Sequence, residues 1–281
     1  MAGASMKDIK LRIKSVESTM QITKAMQLVA TSKLRRAKEH MENSKPYAVI
    51  SREAIRAAVQ RCGDQNVPYL TARPLKRRLY VVVAGERGLA GGYNSNVFKA
   101  VAAHCGDTPY CVLPLGRKAI EKFHRAGVEL LSDAYSRVEN LSVSRCYQLA
   151  KLVTEGYLQE RYDEVWLVYT SFRSMMSQEV QTEQLLPVPR EEKEDARNVD
   201  TVYEVEAAET LQRVMPDFLA GRIYSAVCDS FASEVASRRM AMDSATKNAN
   251  AMISDLTLRY NRARQGAITQ EITEIVAGAE E

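Results

Sequence analysis

The sequence has few of the residues on which metal sites, disulfide frameworks and hydrolytic enzymes depend. Its 281 residues include 3 histidines, 5 cysteines and 1 tryptophan. No histidine or cysteine falls in a CxxC pair, an HExxH motif or another metal-ligand spacing. These residues are His40, His104, His124, Cys62, Cys105, Cys111, Cys146 and Cys228. Their scarcity argues against a structural metal and against Ser/His/Asp or Cys/His catalysis, and it favours a reducing compartment.

Long hydrophobic runs are also lacking. No stretch approaches the roughly 18 uninterrupted apolar residues of a membrane-spanning helix. The N-terminus has neither an apolar signal core nor an arginine- and serine-rich transit segment, so any association with a membrane would be peripheral. The net charge of +4 is small for this length and does not by itself call for nucleic acid.

Glycine and proline are absent from residues 4–45 and 222–265, one stretch near each end of the chain. Apolar and small residues recur there at alternating intervals of three and four, the spacing of a coiled-coil seam. In the first stretch the seam is Ile9, Ile13, Val16, Met20, Thr23, Gln27, Ala30, Leu34, Ala37 and Met41, and in the second it is Met242, Ala245, Ala249, Met252 and Leu256. Each helix would be roughly 60 Å long, whereas a compact globule of this size has a radius of gyration of about 19 Å. We therefore expect two long terminal helices that project from a globular part.

The middle of the chain alternates short apolar runs with helical segments. Strands are predicted at 79–84, 109–115, 128–131, 164–172 and 178–188, and helices at 94–104, 117–126 and 142–159. This alternation predicts a Rossmann-like α/β domain with a mostly parallel sheet, its last two strands forming an edge hairpin. Residues 190–197 are interpreted as an exposed acidic loop, and Pro46 is expected to kink a first helix that continues over 47–61. The predicted division is 1–62 and 208–281 for the two coiled-coil helices and 75–190 for the α/β domain.

A glycine cluster at 85–94 follows the first predicted strand and precedes a helix, where phosphate-binding loops occur. It has neither the Lys-Ser/Thr that follows the last glycine of a P-loop nor the GxGxxG spacing of a dinucleotide site. We favour a structural tight turn and no bound cofactor. The alternative is a nucleotide-binding α/β enzyme that dimerises through its terminal helices.

Both terminal helices carry signs of a binding partner. The first is rich in lysine and arginine between residues 7 and 38, which fits either a solvated face or an acidic partner. Nucleic acid is the weaker interpretation because few aromatic residues interleave with these charges. The end of the last helix carries Ile268, Ile272, Ile275 and Val276. An apolar tip of this kind calls for a partner with a hydrophobic socket.

Three motifs carry a resemblance to a known family. They are MKDIKLRIKSVESTMQITKAM with LVATSKL over 6–34, GLAGGYN over 88–94, and YNRARQ with ITQEITEIVAGA over 260–279. Together they resemble the gamma subunit of F-type ATP synthases across the whole chain. Ala90 stands where the family usually has cysteine.

The resemblance implies a non-catalytic rotary shaft. Its terminal helices would wind into an antiparallel coiled coil inside a ring of three alpha and three beta subunits, with one copy per complex. The shaft would also meet an epsilon subunit and a membrane ring of c subunits, whose ion flow it couples to ATP synthesis or hydrolysis at the beta subunits. The chloroplast form carries a cysteine pair near 190–209 that this sequence lacks. We therefore expect a bacterial protein, peripheral on the cytoplasmic face of the cell membrane.

The family pattern also implies which positions contact other subunits. Two lie on the first helix, three near the end of the last helix, and two after the acidic loop: Lys24, Met26, Arg264, Gln265, Thr269, Tyr203 and Glu204. The first two would face the bearing and catch region of the ring, and the next three would meet beta-subunit loops. The last two would form the foot against the epsilon subunit and the c ring. Short polar side chains at Ser244, Thr246 and Asn250 are expected to face outward.

Overall fold

The computed structural model describes residues 6–62, 67–139, 141–189 and 206–279. Its elements in chain order are α1 Met6–Cys62, β1 Arg78–Val83, α2 Tyr93–Cys105, β2 Tyr110–Leu115, α3 Arg117–Arg125, α4 Val143–Leu158, β3 Glu164–Phe172, β4 Gln178–Leu186 and α5 Ala207–Ala279. The predicted acidic loop at 190–197 lies outside the described residues. The chain divides into two compact units, Met1–Thr31 with Arg238–Glu281, and Ser32–Ser237. We call them the helical unit and the α/β unit, and each is described by itself.

In the helical unit, α1 and α5 pack as an antiparallel pair. Thr23 lies against Thr246 and Gln27 against Asp243. Residue numbers thus fall along α5 as they rise along α1, so the two helices are antiparallel. The predicted seam of α1 is confirmed: its residues are buried or half-buried, whereas most of their neighbours are exposed. The polar side chains at Thr23 and Gln27 pair across the two helices, as a seam position requires.

On α5 the predicted seam is wrong at one position. Met242, Ala249 and Leu256 are buried as expected, but Met252 is 47% exposed and its neighbour Ile253 is half-buried instead. The outward orientation predicted for Thr246 is also wrong, because its hydroxyl lies within hydrogen-bonding distance of Thr23. The side of α5 that faces α1 therefore includes Thr246 and Ile253 together with the three buried residues.

The α/β unit is built on a four-stranded sheet in the order β2-β1-β3-β4. Strand β1 pairs in parallel with β2 and β3, and β4 pairs antiparallel with β3. The mostly parallel sheet and its edge hairpin are thus confirmed. The predicted strand at 128–131 is wrong, because this segment forms only an isolated bridge between Val112 and Leu130. The chain then folds over the end of β2, where the Tyr135 carbonyl accepts a hydrogen bond from the Gly116 amide.

Two apolar layers cover the faces of this sheet. Helices α2 and α3 pack on one face through residues such as Val97 and Phe123. On the other face, α4 packs together with the part of α1 around Val59 and the part of α5 around Ile223. Helix α1 runs without interruption through Pro46 to Cys62, and its last turns pack into this core as predicted. The segments of α1 and α5 that lie in the α/β unit are therefore part of its hydrophobic core.

Candidate functional site

A polar layer joins the two helices of the helical unit. The Thr23 and Thr246 hydroxyl oxygens are 2.9 Å apart, and Gln27 Nε2 donates to Asp243 Oδ1 over 3.0 Å. The hydrogen-bonded ammonium of Lys247 is the main cause that holds the pKa of Asp243 below its usual value, and Gln27 adds to it. Polar partners at seam positions bond only in one alignment, so this layer fixes the register of the pair.

The outer surface of α1 in this unit exposes large apolar side chains. Leu28 is 66% exposed and Val29 57%. Two predicted contact residues lie beside them: Lys24 is exposed and Met26 is half-buried. Exposed apolar groups next to a cation form a surface suited to another protein.

The C-terminal part of α5 is exposed on nearly all sides. Ile272 is 56% exposed and Ile275 71%, and Ile268 and Val276 lie on the same helical face and are also exposed. The register set by the polar layer places Met6 of α1 level with residues 263–264, so the rest of α5 extends beyond the described start of α1. This end of α5 offers an exposed apolar stripe.

The predicted contact residues near this tip are all on the surface. Arg264 and Gln265 are exposed, and so is Thr269, whose hydroxyl donates to the Gln265 carbonyl over 2.9 Å. The structure therefore brings these three together on adjacent turns of one helix. Tyr203 and Glu204 lie outside the described residues.

The glycine cluster forms a tight turn that is closed by groups of the protein itself. The Gly85 amide donates to Asn94 Oδ1 over 2.8 Å. Leu89 and Gly91 adopt φ values of 61° and 56°. This left-handed conformation favours glycine, which is the residue at position 91. The side chain of Asn94 therefore closes the turn from inside, as a structural loop requires.

Helix α5 fills the space beside this turn. A Cβ atom built on Gly85 would lie 2.7 Å from Glu234 Oε1, and Glu234 is only 3% exposed. The Tyr93 hydroxyl lies 2.9 Å from Ser230 Oγ of the same helix. The Glu234 side chain occupies the space beside Gly85, so the geometry supports a structural loop over the nucleotide-binding alternative.

The same turn also leads to α1. Glu86 Oε1 accepts hydrogen bonds from the amides of Val138 and Glu139 over 2.9 and 3.2 Å. The Glu139 carboxylate in turn pairs with Lys33 Nζ at 2.6 Å. The glycine cluster thus ties the sheet to both long helices within the α/β unit.

Several of these contacts were missed in the sequence analysis. The polar character of Thr23 and Gln27 in the seam was a usable signal, because seam positions face a partner. Asp243 and Glu234 gave no signal, since a carboxylate on a long helix ordinarily faces solvent.

Within residues 6–62, 67–139, 141–189 and 206–279, none of the helices contains an apolar stretch of the length needed to span a membrane. The same residues contain no cluster of His, Cys, Asp and Glu that could hold a metal ion. All five cysteines lie within these residues, are buried and take no part in a disulfide.

A family model and the curated relatives of this chain indicate the same family. A family model described as ATP synthase matches residues 5–281. The ATP synthase gamma chain of Lachnoclostridium phytofermentans is 42% identical over 287 residues, covering 98% of each chain. The sodium-ion-specific ATP synthase gamma chain of Acetobacterium woodii is 39% identical over 296 residues, again covering 98% of each.

Solved structures show the same fold at lower sequence identity. A chain of the Euglena gracilis mitochondrial ATP synthase aligns with a TM-score of 0.66 and 17% identity, covering 98% of this chain and 93% of that one. A chain from the central stalk and c-ring structure of the Tetrahymena thermophila mitochondrial ATP synthase aligns with a TM-score of 0.60 and 24% identity, covering 80% and 99%.

Proposed function

This chain belongs to the ATP synthase gamma chain family, whose members are non-catalytic subunits of the ATP synthase complex. We propose that its paired terminal helices turn inside a ring of catalytic subunits. In this role the chain is the central rotary stalk. It couples ion flow through the membrane ring to ATP synthesis or hydrolysis at sites that other subunits provide.

The finer composition of the complex follows the family pattern. We propose one copy of this chain with three alpha and three beta subunits, an epsilon subunit and a membrane ring of c subunits, and no nucleic acid. The complex would lie on the cytoplasmic face of a bacterial membrane, with this chain peripheral to it.

The observation that carries the proposal is the exposed apolar surface of the helical unit. Leu28 and Val29 on α1 and Ile272 and Ile275 on α5 are all more than half exposed. Burying an apolar side chain of this size is favourable by about 1.5–3 kcal/mol. A sleeve of surrounding subunits would supply that burial along both helices.

A shaft controls catalysis because it is asymmetric within a threefold ring. Two antiparallel helices present a different face to each of three equivalent sites. Each site then has a different interaction free energy with the shaft, and the three adopt different conformations. Rotation exchanges these contacts among the sites, which couples movement to binding and release.

We assign the ring contacts to Lys24 and Met26 on α1 and to Arg264, Gln265 and Thr269 on α5. Their place on the surface of the helical unit supports this assignment. Tyr203 and Glu204 are proposed, from the family pattern alone, as the foot that meets the epsilon subunit and the c ring. Alanine at Gln265 and Thr269 should lower ion-driven ATP synthesis, and unaltered synthesis would count against the α5 contacts. Charge reversal at Glu204 tests the foot in the same way.

The experiment for the proposed function is reconstitution. Purified alpha and beta subunits from the same source are assayed for magnesium-ATP hydrolysis with and without this chain, and the chain is assayed alone. We expect strong activity only in a complex that contains one copy of the chain. Hydrolysis or nucleotide binding by the chain alone, together with homodimers, would favour the enzyme alternative instead.

A further inference from the structure

Helix α5 carries a polar stripe where it crosses the core of the α/β unit. Its members point at the β3–β4 hairpin: Arg222, Asp229, Ser230, Ser233 and Ser237. Arg222, Ser230 and Ser233 are among the buried polar residues of the chain. Burying polar groups is costly unless they are hydrogen-bonded, so each of these side chains calls for a partner. We call this set the α5 stripe.

The centre of the stripe bonds to the backbone of β3. Asp229 Oδ1 accepts from the Phe172 amide over 3.0 Å, and Ser230 Oγ accepts from the Thr170 amide over 3.1 Å. Ser233 Oγ donates to the Thr170 carbonyl over 3.2 Å. The end of β3 is therefore held by three side chains of one helix.

These backbone groups are available because β3 is longer than its neighbour. Pairing between β1 and β3 ends at Val82 and Val168, so Thr170 and Phe172 extend beyond the edge that β1 covers. Buried backbone groups without a strand partner require another one. The α5 stripe supplies it and acts in place of the missing strand.

Both ends of the stripe bond to β4. Arg222 makes a two-pronged contact with Glu183, with Nε donating to Oε1 over 3.1 Å and Nη2 donating to Oε2. Ser237 Oγ donates to Gln178 Oε1 over 3.0 Å. From Arg222 to Ser237 the contacts extend about 22 Å along the helix. The stripe therefore contacts β3 at its last residues and β4 from Gln178 to Glu183.

The chemistry of the stripe suits it to resist rotation of the helix. Apolar packing of α5 on the sheet is non-directional, so it resists separation better than it resists turning. Hydrogen bonds need particular distances and angles, and a turn of the helix about its own axis would break several of them at once. The stripe thus sets the rotational position of α5 against the sheet.

We propose that the α5 stripe is the positioning element through which torque passes between the α/β unit and α5. This inference rests on the proposed shaft function. Helix α5 is continuous from Ala207 to Ala279, so a twist applied at the stripe is carried along its backbone hydrogen bonds. Asp229, Ser230 and Ser233 would then be positioning residues, separate from the ring contacts assigned above.

The test compares three variants in the assembled ATP synthase in proteoliposomes. The double variant Asp229→Ala/Ser233→Ala removes two bonds to β3. Asp229→Asn keeps an oxygen that can accept from the Phe172 amide. The control Ser51→Ala removes a hydroxyl whose bond is to Ala48 of its own helix. Each is measured by hydrogen exchange at the Phe172 amide, by ATP hydrolysis in detergent, and by ATP synthesis driven by H⁺ or Na⁺ gradients at increasing ATP/ADP ratios.

We expect the Phe172 amide to exchange about tenfold faster in the double variant, as the loss of one buried hydrogen bond implies. Hydrolysis in detergent should be unchanged, whereas synthesis should stop at a lower ATP/ADP ratio than in wild type. Asp229→Asn and Ser51→Ala should behave like wild type in all three assays.

Two results would overturn the proposal. The first is that the Phe172 amide of the double variant exchanges faster but the variant still synthesises ATP up to the wild-type ATP/ADP ratio. The second is that exchange at the Phe172 amide is the same in the double variant as in wild type. Ion-driven synthesis by complexes that lack this chain would instead refute the shaft function, whatever the exchange result.

Discussion

Thr23 of α1 and Thr246 of α5 lie with their hydroxyl oxygens 2.9 Å apart, although 223 positions separate them in the sequence. Each hydroxyl also lies within hydrogen-bonding distance of a carbonyl on its own helix, that of Met20 and that of Met242. One hydroxyl can therefore donate across the helices while the other donates to its own helix. This relationship fixes the antiparallel register of the two shaft helices.

The threonine pair should show a measurable coupling energy. Valine at either position removes the hydroxyl with little change in shape, and the double-mutant cycle Thr23→Val with Thr246→Val should give about 0.5–1 kcal/mol of coupling. The measurement is the free energy of unfolding in denaturant. Thr257→Val is the control, because that exposed hydroxyl donates to the Ile253 carbonyl of its own helix. Strict additivity of the two valine variants would show that no bond joins the helices here.

Gly85 should not tolerate a side chain, whereas Gly88 should. A Cβ at Gly85 would lie 2.7 Å from Glu234 Oε1, and one at Gly88 would meet nothing within 4 Å. Gly85→Ala should therefore lower the free energy of unfolding by about 1–3 kcal/mol, the usual range for overpacking. Gly88→Ala should leave it nearly unchanged. Equal stability of the two variants in thermal and denaturant unfolding would mean that α5 does not fill the space beside the turn.

His104 should make stability depend on pH below neutrality. Burial is the main cause that lowers its pKa from 6.5, and Arg78 lowers it further, so the folded state favours the neutral ring. A base with a lowered folded pKa contributes stability above its unfolded pKa, and that contribution is lost as the pH falls below about 6.5. His104→Gln should flatten this slope. An unaltered slope of unfolding free energy between about pH 7 and pH 5 would exclude His104 as its source.

The same histidine offers a second readout. The centroid of its ring lies 4.2 Å from the ring centroid of Trp166, which is the single tryptophan of the chain. Its Nδ1 lies 2.7 Å from the Tyr80 hydroxyl oxygen. Protonation of His104 should change the fluorescence of Trp166 over the same pH range as the stability. A fluorescence transition that persists in His104→Gln would have to come from another group.

The apolar tip of α5 should matter for assembly and hardly at all for the fold. Ile272→Gln with Ile275→Gln changes two exposed side chains, so the free energy of unfolding of the isolated chain should move by less than about 0.5 kcal/mol. Association with alpha and beta subunits should weaken, because the apolar surface to be buried is lost. The control is Glu274→Gln on the same turn. If titration shows that wild type, the double variant and the control bind alpha and beta subunits equally well, the tip is not part of the interface.

Long regular patterns in the sequence predicted the fold well. The seam of α1 was confirmed from Ile9 to Met41 because branched and apolar residues recur there against a charged background. On α5 the pattern failed at Met252, since it and Ile253 are both apolar and periodicity cannot decide between them. The segment 128–131 has the composition of a strand, but only one bridge forms there, and strand pairing depends on distant parts of the chain.

The contacts that couple elements were harder to predict than the elements. The Gly85 turn could be predicted from its glycines, yet nothing near it indicated that Glu234 would lie alongside. The run Asp229-Ser230 with Ser233 resembles a solvated helix face, and only the uncovered end of β3 explains its burial. Such polar pairs are set by tertiary packing, which local sequence does not encode.

The most direct test of the shaft is to watch it turn. All five native cysteines are buried, so Asp107→Cys on an exposed turn of the α/β unit provides a single reactive thiol for a bead. The ring of alpha and beta subunits is fixed to a surface, and magnesium-ATP is added. We expect rotation of the bead in one direction, in steps that match the proposed threefold ring, and rotation should stop when hydrolysis is inhibited. A stationary bead on a ring that hydrolyses ATP at its full rate would contradict the proposed shaft function.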